Sequence, residues 1–295
     1  MPSINGRRSV LLTTDIGTDM DDQWLLAHLA LAPEVDLRGV VTTHAPNMKA
    51  PAAETAVGHA RAVLDHLPNR RKRPPVRAGA SAPLRSAAEP SPNAGARFLL
   101  DASRPFSPAR RLVICAAGAA TDVASALLID PTFADRVEII AMGFDRWPEG
   151  GDPWNVKNDP RAWQAILASR APVTVGDAQV TARRLSLSRA EARALLADKG
   201  AAGRYLADLH TTWVDKSDPN FLQSASGRRD AWPVWDEVIA AHLLGLTTSV
   251  THPRPALGDD LRFVHESANT LKLPPVRWIT DIDAERVWRH LVFCL

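Results

Sequence analysis

Asp15-Ile16-Gly17-Thr18-Asp19-Met20-Asp21-Asp22 sets four carboxylates within eight residues, directly after the apolar run Val10-Leu11-Leu12 and just before Trp24-Leu25-Leu26-Ala27. Crowded carboxylates repel one another, so in a folded chain they are neutralised by a metal, by Lys or Arg, or by water. A single Asp here would read as a helix cap, favoured by unpaired amides and the helix dipole. Four acids with no Lys or Arg among them favour a hard-cation site instead. The glycine turn puts them at a strand-to-helix junction, where ligand sites of open α/β sheets collect.

Outward from this loop, short apolar runs alternate with helix-like segments, the pattern of a parallel sheet buried on both faces. Strands are expected at Val10–Thr14, Leu37–Thr42, Val76–Ala78, Leu112–Ala116, Val137–Met142 and Pro172–Val175, and helices at Asp22–Leu31, Ala52–His66, Asp122–Leu128, Pro160–Ser169 and Ala231–Leu244. The Pro- and Arg-rich segment Leu67–Pro92 reads as surface loops around one short strand, and Ser188–Gly200 as an exposed helix capped by Ser188. The fold class is α/β: an open, mainly parallel central sheet with helices on both faces. No linker divides two composition regimes, so residues 1–295 are expected to form a single domain.

Composition sets further bounds. At 45% hydrophobic and 23% charged the chain is ordinary for a globular protein, and its net charge of +2 does not suggest a nucleic-acid binder. The one dense basic run, Arg70-Arg71-Lys72-Arg73, lies among prolines and reads as a solvated loop. Cys115 and Cys294 are the only cysteines, which indicates neither a disulfide framework nor a Cys-based zinc site. No apolar stretch approaches membrane-spanning length and the run after Arg7-Arg8 is too short for a signal peptide, so a cytoplasmic protein is expected.

Three other regions could complete a site around the acidic loop. Val40-Val41-Thr42-Thr43-His44-Ala45-Pro46-Asn47 is a strand running into polar residues, where His44 and Asn47 could be functional or could serve a turn. Trp235-Asp236 opens a late apolar segment, with Asp236 readable as a ligand or as a helix-terminal acid. Cys115-Ala116-Ala117-Gly118-Ala119-Ala120-Thr121-Asp122 passes into a helix through small residues that permit close backbone approach.

Taken in order, these segments resemble the inosine-uridine-preferring nucleoside hydrolase family over nearly the whole chain. The acidic loop resembles that family's Asp-rich calcium loop with two additional residues after Gly17, which implies Asp15 as metal ligand and water-activating base, Asp22 as metal ligand and Asp21 as a substrate contact. Thr42-Thr43 followed by Asn47 resembles the segment whose Asn meets the ribose, so Asn47 carries a catalytic or sugar-binding role. Gly118 to Asp122 resembles the Gly-Pro-Leu-Thr-Asn turn, implying the Thr121 carbonyl as a further calcium ligand. Trp154-Asn155 ahead of Asp159-Pro160 implies Asn155 as a sugar contact, with Asp152 beside Pro153 where the family has Glu. Trp235-Asp236 resembles the His-Asp pair, making Asp236 the last ligand. Trp235 replaces the base-protonating His; His44 and His210 are the alternative proton donors, and Trp213 and Trp235 the alternative stacking partners of a base. The resemblance implies a Rossmann-like core, Ca2+ as cofactor, a nucleoside-like small-molecule substrate and a homo-oligomer. It implies hydrolysis of the N-glycosidic bond, against the alternatives of a ribosyl-binding protein without turnover or a hydrolase of a modified or charged nucleoside. In the last case Arg228 and Arg229 would meet the charge.

Overall fold

The computed structural model describes residues 6–68, 72–151, 154–265 and 273–295. Strands β1 (Arg8–Thr14), β2 (Val35–Thr42) and β3 (Val76–Ala78) alternate with helices α1 (Asp21–Leu31) and α2 (Ala52–His66). Helix α3 (Ala94–Ser103) leads into β4 (Leu112–Ala117), and α4 (Thr121–Ile129) and α5 (Phe133–Arg136) into β5 (Val137–Met142). Next come α6 (Trp154–Asn158), α7 (Pro160–Leu167) and β6 (Val173–Gly176). A largely helical stretch follows: α8 (Ala178–Arg184), β7 (Ser186–Ser188), α9 (Arg189–Leu196), α10 (Gly200–Lys216), α11 (Pro219–Ser226), β8 (Ala231–Pro233) and α12 (Glu237–Leu243). The chain ends with β9 (Thr247–His252), β10 (Ala256–Leu257), β11 (Phe263–Val264), β12 (Val276–Ile282) and α13 (Ala284–Cys294).

Eight strands form the central sheet in the order β3-β2-β1-β4-β5-β6-β12-β9. All neighbours are parallel except β9, which runs antiparallel to β12 at one edge. Period-two alternation divides each inner strand between two cores. Val10, Leu12, Val113, Cys115 and Ile140 face the core built with α1, α2, α10, α12 and α13, whereas Leu11, Ile114, Ala116 and Ile139 face the one built with α3, α4 and α7. Both faces are covered, which is why these strands read as continuous apolar runs rather than alternating ones.

The order reverses between β1 and β4: from β1 the chain builds towards β2 and β3 on one side, then returns to β4 on the other. Crevices beyond the strand C-termini at such a reversal are where open α/β sheets bind ligands. Asp15 follows β1 directly and Gly118 follows β4 directly.

The six expected strands are present with boundaries moved by at most two residues, and Ser188 caps α9 through a reciprocal bond pair with Glu191. The expected helix Ala231–Leu244 is corrected. Ala231–Pro233 pairs antiparallel with Ser186–Ser188, and the helix starts only at Glu237. Pro233 lacks an amide proton and disfavours helix at the residue before it.

Candidate active site

Five acids converge where β1 ends. Asp15, Asp21, Asp22 and Asp236 are 2–5% exposed, and Asp19 sits beside them at the surface of the loop. Carboxylate oxygens of Asp19, Asp21 and Asp22 lie within 4.8 Å of one another. Asp19 Oδ1 accepts from the Asp21 amide at 2.9 Å, and Asp21 Oδ1 from the Asp22 amide at 3.1 Å, so the loop coils the acids inward at the start of α1. Thr14 donates its hydroxyl to Asp22 Oδ1. The Asp236 amide donates to Asp21 Oδ2 at 3.3 Å, joining two loops 215 residues apart in sequence. Asp236 is the N-cap residue of α12, yet its side chain makes no capping bond, leaving the carboxylate available to a ligand.

Among the described residues no Lys or Arg forms an ion pair with any of these acids. Burial pushes the Asp15 carboxyl up to about 7; the Trp154 indole, donating to Oδ2 at 3.0 Å, opposes the rise, and Asp19 adds to it. Asp21, Asp22 and Asp236 are driven well above the carboxylate range, first by burial and then by neighbouring acids, Asp19 foremost for Asp21 and Asp236 and Asp236 for Asp22. Buried, mutually repelling carboxylates are stable as anions only with a cation among them, and an all-oxygen donor set suits a hard divalent ion. The residues therefore fit such an ion.

Close approach between β1 and β4 depends on Gly118. A Cβ at this position would stand 2.6 Å from the Asp15 amide nitrogen and 3.0 Å from Asp15 Oδ1. No side chain fits without moving the loop that carries Asp15.

The acids line a cavity of about 940 Å3. Asn47 stands on its rim beyond β2, and Asn155 is held in the wall by donating Nδ2 to the Met142 carbonyl at 3.4 Å. Opposite lies an aromatic wall: Trp232 packs against Trp213, Phe221 and Trp235 with ring centroids 5.6–5.9 Å apart. All four rings line the cavity.

The structure thus brings together Asp15, Asp21, Asp22, Asn47, Asn155, Trp213, Trp235 and Asp236, and it separates others. His44 is not a wall residue: its Nε2 donates to Thr121 Oγ1 at 2.9 Å, whose hydroxyl donates to Asp159 Oδ2 at 2.6 Å. Burial lowers the pKa of His44, and that of His210 to about 4. His210 lies fully buried on α10 against Trp24, away from the cavity, so neither His carries a proton for a leaving base at neutral pH. Thr121 is buried and is not among the residues that line the cavity. Asp152 lies outside the described residues. Arg228 is tied to Glu191 and Asp230, and Arg229 to Asn220; Arg183 is the arginine that lines the cavity.

Trp154, Trp232 and Arg183 were not singled out from sequence. Trp154 precedes Asn155, which is a usable signal, but Arg183 sits in an unremarkable helix and carries none.

An open, mainly parallel sheet with an oxygen-rich acidic crevice at its strand reversal defines an α/β protein whose clustered acids suit a hard cation. Residues 10–289 match the family model described as inosine-uridine preferring nucleoside hydrolase, and the chain belongs to that family, whose enzymes cleave the N-glycosidic bond of nucleosides. Solved structures agree in fold. A plant nucleoside hydrolase superposes with a TM-score of 0.77 at 20% identity, covering 98% of both chains. A purine-preferring ribonucleoside hydrolase from Gardnerella vaginalis gives 0.76 at 18%, over 97% of this chain and 98% of that one. An inosine-uridine preferring nucleoside hydrolase from Bacillus anthracis gives 0.70 at 16%, with the same coverage. Comparison with curated protein sequences gives no significant match.

Proposed function

We propose that the protein is a calcium-dependent hydrolase of a ribonucleoside or related ribosylated small molecule, with Asp15, Asp22 and Asp236 as the ion-holding carboxylates. The observation that carries this reading is the convergence of buried acids, with no Lys or Arg ion-paired to them among the described residues, in a cavity large enough for a nucleoside. Calcium bound there would fix sugar hydroxyls and acidify a water. Asp15, whose carboxylate would stand beside that water, is placed to receive its proton. The acid cluster stabilises positive charge developing on the sugar as the glycosidic bond breaks. Asn47 and Asn155 orient the ribose, and the Trp213–Trp232–Trp235 wall offers faces for an aromatic base.

The base must leave with its electrons. No His lines the cavity among the described residues, so the reaction favours substrates whose base departs without a protonating histidine. Arg183 in the wall supports a second reading, a nucleoside bearing an anionic group, in place of the role first expected for Arg228 and Arg229.

The test is free-ribose release from purine, pyrimidine and nicotinamide ribosides, with calcium and with chelator, for wild type and Asp15→Ala. Calcium-dependent release that disappears in the variant supports the hydrolase. Nucleoside binding with no ribose released from any substrate would replace it with a binding protein.

A further inference from the structure

Near the other end of α1, about 9 Å along the axis from Asp22, three metal-ligating side chains from the two ends of the chain meet. His28 lies in α1, and His290 and Cys294 lie one turn apart on α13. Their nearest donor atoms fall within 4.8 Å of one another. His28 Nε2 is 2.8 Å from His290 Nδ1, and Cys294 Sγ is 3.6 Å from the same nitrogen. His28 and Cys294 are buried.

We propose that His28, His290 and Cys294 form a second metal site, separate from the acidic one, that takes zinc or a similar borderline-soft divalent cation. A tetrahedral zinc with bonds of about 2.05 Å to nitrogen and about 2.3 Å to sulfur sets its ligand atoms about 3.3 Å (N to N) and about 3.6 Å (N to S) apart. The sulfur-to-nitrogen distance already matches, and the two nitrogens need to part by about 0.5 Å. An independent feature is the outer layer. His28 Nδ1 is paired with Glu237 Oε2 at 2.7 Å, and His290 Nε2 with Glu34 Oε2 at 3.2 Å. Each imidazole therefore has its remote nitrogen on a carboxylate, as in carboxylate–histidine–zinc sites, and the proton shared between His28 Nε2 and His290 Nδ1 is the one a metal would displace.

A cavity of about 310 Å3, walled in part by Leu31, Leu64, Leu67, Lys72 and Arg73, adjoins Cys294. The three side chains come from positions 28, 290 and 294, a combination that no local sequence motif announces. Filled, the site would clasp α13 to the helix whose first turn carries Asp21 and Asp22.

Cobalt(II) titration of the full-length protein in excess calcium tests the proposal. One equivalent is expected to bind with a thiolate-to-cobalt charge-transfer band. Cys294→Ser and His290→Gln should each abolish that band, and Glu34→Gln should weaken zinc binding about 10–100-fold. Asp236→Ala should leave the band intact, which separates this site from the acidic one and from the proposed hydrolysis. Absence of the band in wild type, or its survival in Cys294→Ser, would overturn the proposal. The wild-type reading stands whether or not a variant folds.

Discussion

Removing the cation from the acidic cluster should reverse the way stability depends on pH. In the metal-free protein the Asp15 carboxyl has a pKa of about 7, against 3.8 for an unperturbed Asp. The folded state therefore holds the Asp15 proton over a range in which the unfolded state has lost it. A carboxyl shifted upward in this way weakens the fold as the pH climbs from 3.8 through about 7. A rise of about 3 pH units at about 1.36 kcal/mol each corresponds to ~4 kcal/mol from Asp15 alone. Asp21, Asp22 and Asp236 are shifted in the same direction. Calcium requires the ionised carboxylates, so its affinity should rise over the same interval and its binding should release protons. Scanning calorimetry between about pH 5 and about pH 8 should then show Tm falling with pH in chelator and holding or rising in calcium. Calorimetric titrations in buffers of different ionisation enthalpy should count about one proton or more released per calcium near pH 7. Parallel Tm curves with no proton release would refute the reasoning, because the acids would then be neutralised by something other than the cation.

Other consequences are as direct. Gly118→Ala places a Cβ 2.6 Å from the Asp15 amide, about 0.8 Å inside ordinary contact, and should lower kcat about 10–100-fold while costing about 1–3 kcal/mol of stability, read from steady-state kinetics and urea melts. Trp154→Phe deletes the donor that favours ionised Asp15, so the acidic limb of the kcat/KM profile should move to higher pH; a limb that stays put would remove Asp15 as the base. His210 is held neutral with its pKa lowered from 6.5 to about 4, which makes the fold lose about 3 kcal/mol as the pH falls through that interval; His210→Leu should remove this share of acid sensitivity in pH-dependent urea melts. A p-nitrophenyl riboside, whose leaving group needs no protonation, should turn over about 10²–10⁴ times faster than inosine; equal rates would reveal an acid donor in the cavity.

Strands buried on both faces were legible because their apolar runs are short, β-branched and bounded by polar turns, as in Val137–Met142. The edge pair was not. In Val276–Ile282, Arg277, Thr280 and Asp281 interrupt the apolar run, and no residue of β9 is buried, so neither carries the signature of a buried parallel strand. The acids at the end of β1 were readable as a site because their density has no good alternative explanation. Asp236 was assignable only through the order of family-like segments. His44 and His210 show the limit of that approach: a sequence places a residue on an element but does not say which way its side chain points. Here one is spent on Thr121 and the other on Trp24. The His28–His290–Cys294 cluster lay beyond sequence reading altogether, since its members meet only when the last helix packs on the first.

The bond between the Asp236 amide and Asp21, spanning 215 residues, also sets an order of events during synthesis. When the N-terminal loop leaves the ribosome its acids lie in water, where their charges cost little, and nothing yet forces them together. At about 5–20 residues per second, on the order of 10–40 s pass before Asp236 follows. Until then β1 can pair with β2 and then β4, but the floor of the cavity lacks its far side. This cluster of acids is thus completed late, by a residue made 215 positions after Asp21, with β9 to β12 and α13 still to follow.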